Sequence, residues 1–211
     1  MKKTFAWVAL LASFPAAVWA DGLQSLEGFM RNAKAGQAQF TQTVTAPAKE
    51  GETARSKTSS GTFAFQRPGQ FKFLYTQPFA QTIVADGQTV WLYDEDLHQV
   101  TQRNQSQALG STPAAILTAA NDLQALKKDF TLHPAPDADG LQWVEAVPRA
   151  GDGQVQRVRV GFEGQMLAAM DIQDSFGQRS VIRFTGMQLL PSLPAGTFQF
   201  VVPQGADVMA Q

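Results

Sequence analysis

Gly61-Thr62-Phe63-Ala64-Phe65-Gln66-Arg67-Pro68-Gly69-Gln70-Phe71-Lys72-Phe73 decides the fold. Phe63 and Phe65 alternate with Thr62 and Ala64; after the turn, Phe71, Phe73 and Tyr75 alternate with Lys72, Leu74 and Thr76. A period of two marks a strand with one apolar face, and Arg67-Pro68-Gly69 supplies the turn between two such runs. The stretch is therefore a hairpin with an aromatic inner face. Pro78 ends it, Ile83-Val84-Ala85 makes the next strand, Asp86-Gly87 is a tight-turn dipeptide, and Val90-Trp91-Leu92-Tyr93 returns. The acidic Asp94-Glu95-Asp96 then turns the chain into a strand from Leu97 to Thr101.

Further strand signals follow at Phe130 to His133, Leu141 to Val147, Val155 to Phe162, Met166 to Ile172, Arg179 to Thr185 and Thr197 to Val202. They are separated by Asp137-Ala138-Asp139-Gly140, Gly151-Asp152-Gly153, Glu163-Gly164 and Phe176-Gly177. Ahead of the hairpin, Leu23, Leu26, Phe29, Met30 and Ala33 fall at helical spacing between Asp21 and Ala35, with Gly36 as the stop. A strand begins near Gln37, and the polar stretch from Pro47 to Ser60 reads as a loop or hairpin end. One interruption stands out: Gly110-Ser111-Thr112-Pro113 offers a cap and a first-turn proline, and the segment Pro113 to Ala120 that it opens is apolar on nearly every side. Such a helix must be covered. The expected fold is mainly β: a strongly curved antiparallel sheet of about eleven strands, open or closed, with an N-terminal helix and a short inserted helix.

Lys2 and Lys3 precede an apolar run from Thr4 to Trp19 that closes on Val18-Trp19-Ala20. This is the pattern of a secretory signal cleaved after Ala20, because the unbroken stretch from Phe5 to Ala12 falls far short of the roughly 18 residues a membrane span needs. Residues 1–20 are thus expected to be removed and residues 21–211 to form one domain, without linker or repeat. Cysteine is absent from all 211 residues, so disulfides, thiolate chemistry and acylation of an N-terminal cysteine are excluded. Export without cysteine suits the periplasm of a two-membrane bacterium, a compartment that offers no nucleotide to drive work.

The formal net charge of -1 supplies no field for phosphate backbones, and nucleic acid is not an expected partner. Only two histidines occur, His98 and His133, and neither sits in a catalytic or metal-ligating spacing. Neither a Gly-x-Ser-x-Gly nor a Gly-rich phosphate loop is present. Asp137-Ala138-Asp139-Gly140 begins like a calcium loop but lacks the remaining ligands, Asp94, Glu95 and Asp96 read as a solvated turn, and Asn104-Gln105-Ser106 is an idle glycosylation match in an exported bacterial chain. No enzyme, cofactor or metal is expected. What remains is apolar surface. It is either an ordinary core or, because a single curved sheet with small helices fills its own interior poorly, the wall of a pocket.

The segment Gly61 to Val100 as a set, with Gln77-Pro78, Ile83-Val84-Ala85-Asp86-Gly87, Val90-Trp91-Leu92-Tyr93 and the later Gly110-Ser111-Thr112-Pro113, resembles the periplasmic outer-membrane lipoprotein carriers, the LolA family. From about Lys127 onward the likeness rests on strand count and turn placement alone. The resemblance implies an unclosed β-barrel whose concave face is roofed by helices, forming a cavity for lipoprotein acyl chains. Phe63, Phe65, Phe71, Phe73, Trp91 and Tyr93 are then expected in the cavity wall, Ile116 and Leu117 on the lid, and Arg67 and Pro113 in lid gating. It implies that Arg67 bonds to backbone of the lid segment Pro113 to Ala120; read from its neighbours alone, Arg67 is a solvated residue before a turn proline. The partners implied are triacylated lipoproteins as cargo, an inner-membrane ATP-driven lipoprotein-releasing (ABC) transporter, and an outer-membrane lipoprotein receptor, with the chain a monomer. The alternative is a periplasmic carrier or sensor of another lipid or apolar ligand on the same fold.

Overall fold

The structure is a computed structural model that describes residues 21–48, 51, 53–109, 113–118, 123–150 and 154–210. The expected leader, residues 1–20, lies outside the described residues, as do Gly110-Ser111-Thr112 and Ala119-Ala120 of the inserted helix signal. The chain opens with α1 (Gly22–Asn32) and runs through β1 (Ala35–Thr45), β2 (Ser56–Gln66), β3 (Gln70–Gln77), β4 (Gln81–Ala85), β5 (Thr89–Asp94) and β6 (Gln99–Asn104). Three short helices follow, α2 (Gln105–Leu109), α3 (Pro113–Thr118) and α4 (Leu123–Asp129). The chain continues through β7 (Phe130–Ala138), β8 (Leu141–Pro148), β9 (Val155–Glu163), β10 (Met166–Asp174) and β11 (Arg179–Leu190) to β12 (Asp207–Ala210).

All strands belong to one sheet in the order β12-β6-β5-β4-β3-β2-β1-β11-β10-β9-β8-β7. The sheet is unclosed, with β12 and β7 as its edges. β1 sits at its centre because β11 returns to pair with it, Phe40 opposite Phe184, while β2 pairs on the other side, Ala38 opposite Phe63. This topology explains the helices. The chain leaves β6 near one edge and re-enters at β7 on the other, so the connection through α2, α3 and α4 must cross the sheet. Ile116, Leu117 and Leu126 from that connection are buried in the same cluster as Phe63, Phe65, Phe71 and Phe73, which puts the crossing on the concave side.

α1 covers the other half of that face. Asp21 caps it, its Oδ1 accepting from the Gln24 N–H at 2.9 Å, and Leu26, Phe29 and Met30 form its buried stripe against β7–β10. Gly22 lets the helix start against the sheet, since a side chain there would strike the backbone carbonyl of Trp143. Phe29 links both halves, with its ring 5.7 Å from Phe65 and 5.8 Å from Phe162.

Several expectations need correction. Gly36 does not stop α1; the helix ends at Ala33, whose N–H bonds the Phe29 carbonyl at 2.9 Å, and Gly36 lies inside β1, where a Cβ would press on the Phe65 ring at 2.7 Å. Of the stretch expected as loop or hairpin end, residues 56–60 are hairpin end and extend β2, because the polar side chains Thr43/Thr58 and Thr45/Ser56 pair across strands beyond the core. Thr197 to Val202 is not a strand. Phe198 and Phe200 are held there by side-chain packing while the twelfth strand forms later, Asp207–Ala210, parallel to β6. Among the described residues the insert holds three helices, not one, since five to seven residues are too few to display a helical period. Glu95-Asp96 form the turn read there, with Asp94, the last residue of β5, accepting at Oδ1 from the Leu97 N–H at 3.1 Å; of Asp137-Ala138-Asp139-Gly140 only Asp139-Gly140 turn, and Asp137 and Ala138 end β7.

Candidate functional site

The site is the concave face and its roof. β2 and β3 place Phe63, Phe65, Phe71 and Phe73 on that face, in register Phe63 opposite Phe73 and Phe65 opposite Phe71. All four are buried, with Phe63 and Phe73 centroids 4.6 Å apart and Phe63 and Phe184 5.1 Å apart. Ile116 and Leu117 close over them from α3. Pro113 opens α3, and its side chain lies outside the described residues.

Trp91 and Tyr93 are elsewhere. Val90 packs on the concave core, and alternation along β5 therefore turns Trp91 and Tyr93 to the convex side. There the C-terminal segment covers them: the Phe200 ring stacks on Trp91 at 5.4 Å and lies 6.2 Å from Tyr93. Trp91 Nε1 donates to Asp86 Oδ2 at 3.2 Å. Burial alone would raise the Asp86 carboxyl; the N–H groups of Thr89 and Gln88 and the Trp91 indole outweigh it and hold it below the ordinary carboxylate range. The cavity-wall expectation for Trp91 and Tyr93 fails because the Val90-Trp91-Leu92-Tyr93 run is apolar on both faces, so its pattern does not say which face is concave.

Arg67 is not solvated. Its Nε donates to the Ala33 carbonyl at 3.0 Å, at the end of α1, and its guanidinium carbon lies 5.3 Å from the Phe29 centroid and 5.8 Å from that of Phe65. Burial pushes the guanidinium down to about 10, which leaves it cationic at neutral pH. The Arg67-Pro68 bond is cis. Two residues on, the Gly69 N–H donates to the carbonyl of Thr118, the last residue of α3, at 2.8 Å. The β2–β3 turn thus holds the ends of both roofing helices, α1 through the Arg67 side chain and α3 through the Gly69 backbone.

Gln105 was missed in the sequence. It is 7% exposed at the start of α2, donates to the Gly69 carbonyl at 2.6 Å and accepts from the Gly87 N–H at 2.9 Å, clasping two turns and the root of α2 together. The Asp86-Gly87 turn marked one partner, but nothing local to Gln105 distinguishes it from the other glutamines.

At the opposite end from Arg67 the concave face turns polar. Tyr75, its ring 4.9 Å from Phe40, donates its hydroxyl to Gln42 Oε1 at 2.8 Å, and Gln42 Nε2 donates to Ser180 Oγ at 2.7 Å. Burial pushes the Tyr75 phenol up to about 12, so it stays a donor. Among the described residues no group of three His, Asp or Glu side chains is placed to hold a metal ion.

Comparison with known proteins agrees with this architecture. The family described as outer membrane lipoprotein carrier protein LolA matches residues 31–201. An outer-membrane lipoprotein carrier protein of Albidiferax ferrireducens is 57% identical over 213 residues, covering 99% of this chain and 100% of that one. Another, of Methylibium petroleiphilum, is 49% identical over 211 residues and covers 100% of both. The crystal structure of an uncharacterized conserved protein from Thermus thermophilus shares the fold, with a TM-score of 0.53 at 10% identity, across 90% of this chain and 98% of that one. Full-length identity at this level, on a helix-roofed open sheet with an aromatic concave face, makes the chain a member of the LolA family of outer membrane lipoprotein carrier proteins.

Proposed function

We propose that this chain is a periplasmic chaperone that takes triacylated lipoproteins from an ATP-driven transporter in the inner membrane, shields their acyl chains against the concave face, and yields them to an outer-membrane receptor. The observation that carries this reading is the roofed aromatic face, in which Phe63, Phe65, Phe71 and Phe73 meet Ile116 and Leu117 of a short helix. One acyl chain of about sixteen carbons hides on the order of 12 kcal/mol of transfer free energy, at roughly 0.8 kcal/mol per methylene. Such a chain does not cross water unaided. A carrier must cover that surface and also give it up, and a concave face that closes on its own helices when empty lowers the net affinity for cargo. Arg67 and the β2–β3 turn are the bias toward closure. The relatives named as outer-membrane lipoprotein carrier proteins support the cargo class, and the Lys2-Lys3 leader with its Val18-Trp19-Ala20 end supports export.

The test is release. The chain expressed from Asp21 is incubated with spheroplasts bearing labelled lipoproteins, and soluble lipoprotein complex is measured with and without ATP. ATP-dependent appearance of a one-to-one complex is the expected result. No release, with binding of a different apolar ligand from extracts, discards the cargo and keeps the fold.

A further inference from the structure

The polar end of the concave face is a second, distinct part of the binding surface. Register places Gln42, Ser59, Tyr75, Gln81 and Asp94 side by side on β1, β2, β3, β4 and β5: Gln42 opposite Ser59, Tyr75 opposite Gln81, Gln81 opposite Asp94. Each shares a face with core residues of its strand, Phe40, Phe63, Phe73, Ile83 and Val90, and all five line one cavity of about 610 Å³. Phe79 and Leu97, 67% and 68% exposed, stand in the same cavity wall on the β3–β4 and β5–β6 turns. This cavity lies at the far end of the strands from Arg67, among the described residues its lining includes none from a helix, and its polar rim continues directly from the aromatic floor through the Phe40–Tyr75 contact.

A belt of amide, hydroxyl and carboxylate groups beside an apolar floor matches a ligand that is itself apolar at one end and rich in ester and amide groups at the other. We propose that this cavity binds the linkage region of the cargo, the glyceryl esters, the N-acyl amide and the first peptide groups, so that the acyl tails point toward Arg67 and the polypeptide leaves between Phe79 and Leu97. The proposal rests on the carrier reading above. Amide and hydroxyl side chains exchange donors and acceptors with ester carbonyls and peptide N–H groups, while Asp94 accepts from peptide N–H. Pairing these groups in the belt removes the cost of drawing them under an apolar roof with the tails.

The absence of cysteine from the chain makes the test direct. A synthetic triacylated cysteinyl peptide carrying a free cysteine two residues after the lipidated one is mixed with either the Ser59→Cys or the Lys34→Cys protein under mild oxidation. Ser59 is in the cavity, and Lys34 is beside Arg67 at the other end. Cross-linking through Ser59→Cys and not through Lys34→Cys is expected; the reverse, or equal yields, overturns the orientation. In parallel, Gln42→Leu combined with Tyr75→Phe should weaken binding of the triacylated peptide about tenfold, the loss of a hydrogen bond or two, and weaken binding of palmitate, which lacks the ester and amide groups, distinctly less. Equal weakening of both ligands assigns the belt to structure alone and overturns the subsite. Binding of palmitate but not of the triacylated peptide by the unsubstituted protein would overturn the carrier reading itself, whereas good binding of the peptide with no discrimination by the variants removes only the subsite.

Discussion

The Gly69 N–H reaches the Thr118 carbonyl at 2.8 Å, and through this bond the turn that carries Arg67 also holds the end of α3. Arg67 and α3 are therefore coupled by geometry as well as by shared contact with the aromatic floor. Arg67→Leu removes the bond to the Ala33 carbonyl and the cation over Phe29 and Phe65, and leaves the turn free to shift. On the proposed function, α3 should open more often and cargo should be held longer, so release slows more than loading does. Amide exchange at Ile116 and Leu117 should rise with it; unchanged exchange and equal transfer rates would remove Arg67 from the gate.

Gln105 gives a stability prediction with a functional arm. Its amide satisfies the Gly69 carbonyl and the Gly87 N–H at a buried position. Gln105→Ala should cost about 1–3 kcal/mol, since two backbone groups lose their partner. Gln105→Glu keeps the acceptor for Gly87 but turns an oxygen toward the Gly69 carbonyl, and should cost at least as much above pH 5 or so, where a carboxylate is charged. Denaturant midpoints measure this, and the same variants should raise amide exchange in α2 and α3. An Ala variant as stable as the parent would show that the clasp contributes nothing.

The sheet was legible in the sequence wherever one face is apolar and the other polar. Phe63, Phe65, Phe71 and Phe73 declare both their strand and their inward face, and Arg67-Pro68-Gly69 declares the turn. Legibility stopped where both faces are covered. Val84, Tyr93 and Val100 are buried and Trp91 is half-buried on the convex side, where Phe200 returns over Trp91 and Tyr93, a contact between residues about a hundred positions apart that no local period announces. It stopped also at the short helices, and at Gln42, Tyr75 and Ser180, whose significance comes only from the pairing of β1 with β11 across 138 residues. Part of the lid signal, at 110–112 and 119–120, lies outside the described residues.

The two sides of β5 can be separated by experiment. Trp91→Ala removes the stack on Phe200 and should lower stability, by less than the roughly 3–5 kcal/mol of a fully buried aromatic because Trp91 is only half-buried. Lipid affinity of the folded fraction should not change, because Trp91 faces away from the concave surface. Phe63→Ala, on the floor, should lower both stability and affinity. Affinity measured beside a denaturation curve for each variant distinguishes them, and a specific loss of lipid binding in Trp91→Ala would return that residue to the cavity wall.

Tyr75 supplies a pH signature. Its folded pKa, about 12, lies above the unfolded phenol value of 10.0, so the folded state holds the proton more tightly. The sign follows: the contribution is fully present below about pH 10 and is lost as pH rises toward 12, with a slope of at most about 1.4 kcal/mol per pH unit. Arg67, depressed to about 10 by burial, changes stability in the opposite sense over the same range, which hides the Tyr75 effect in the parent protein alone. Comparison with Tyr75→Phe isolates it. The stability difference between parent and variant should shrink steadily above about pH 10, and phenolate absorbance should show one tyrosine titrating near 12 that the variant lacks. A difference that is flat with pH would mean that the Tyr75 hydroxyl reaches water freely and that its bond to Gln42 does not order the polar end of the concave face.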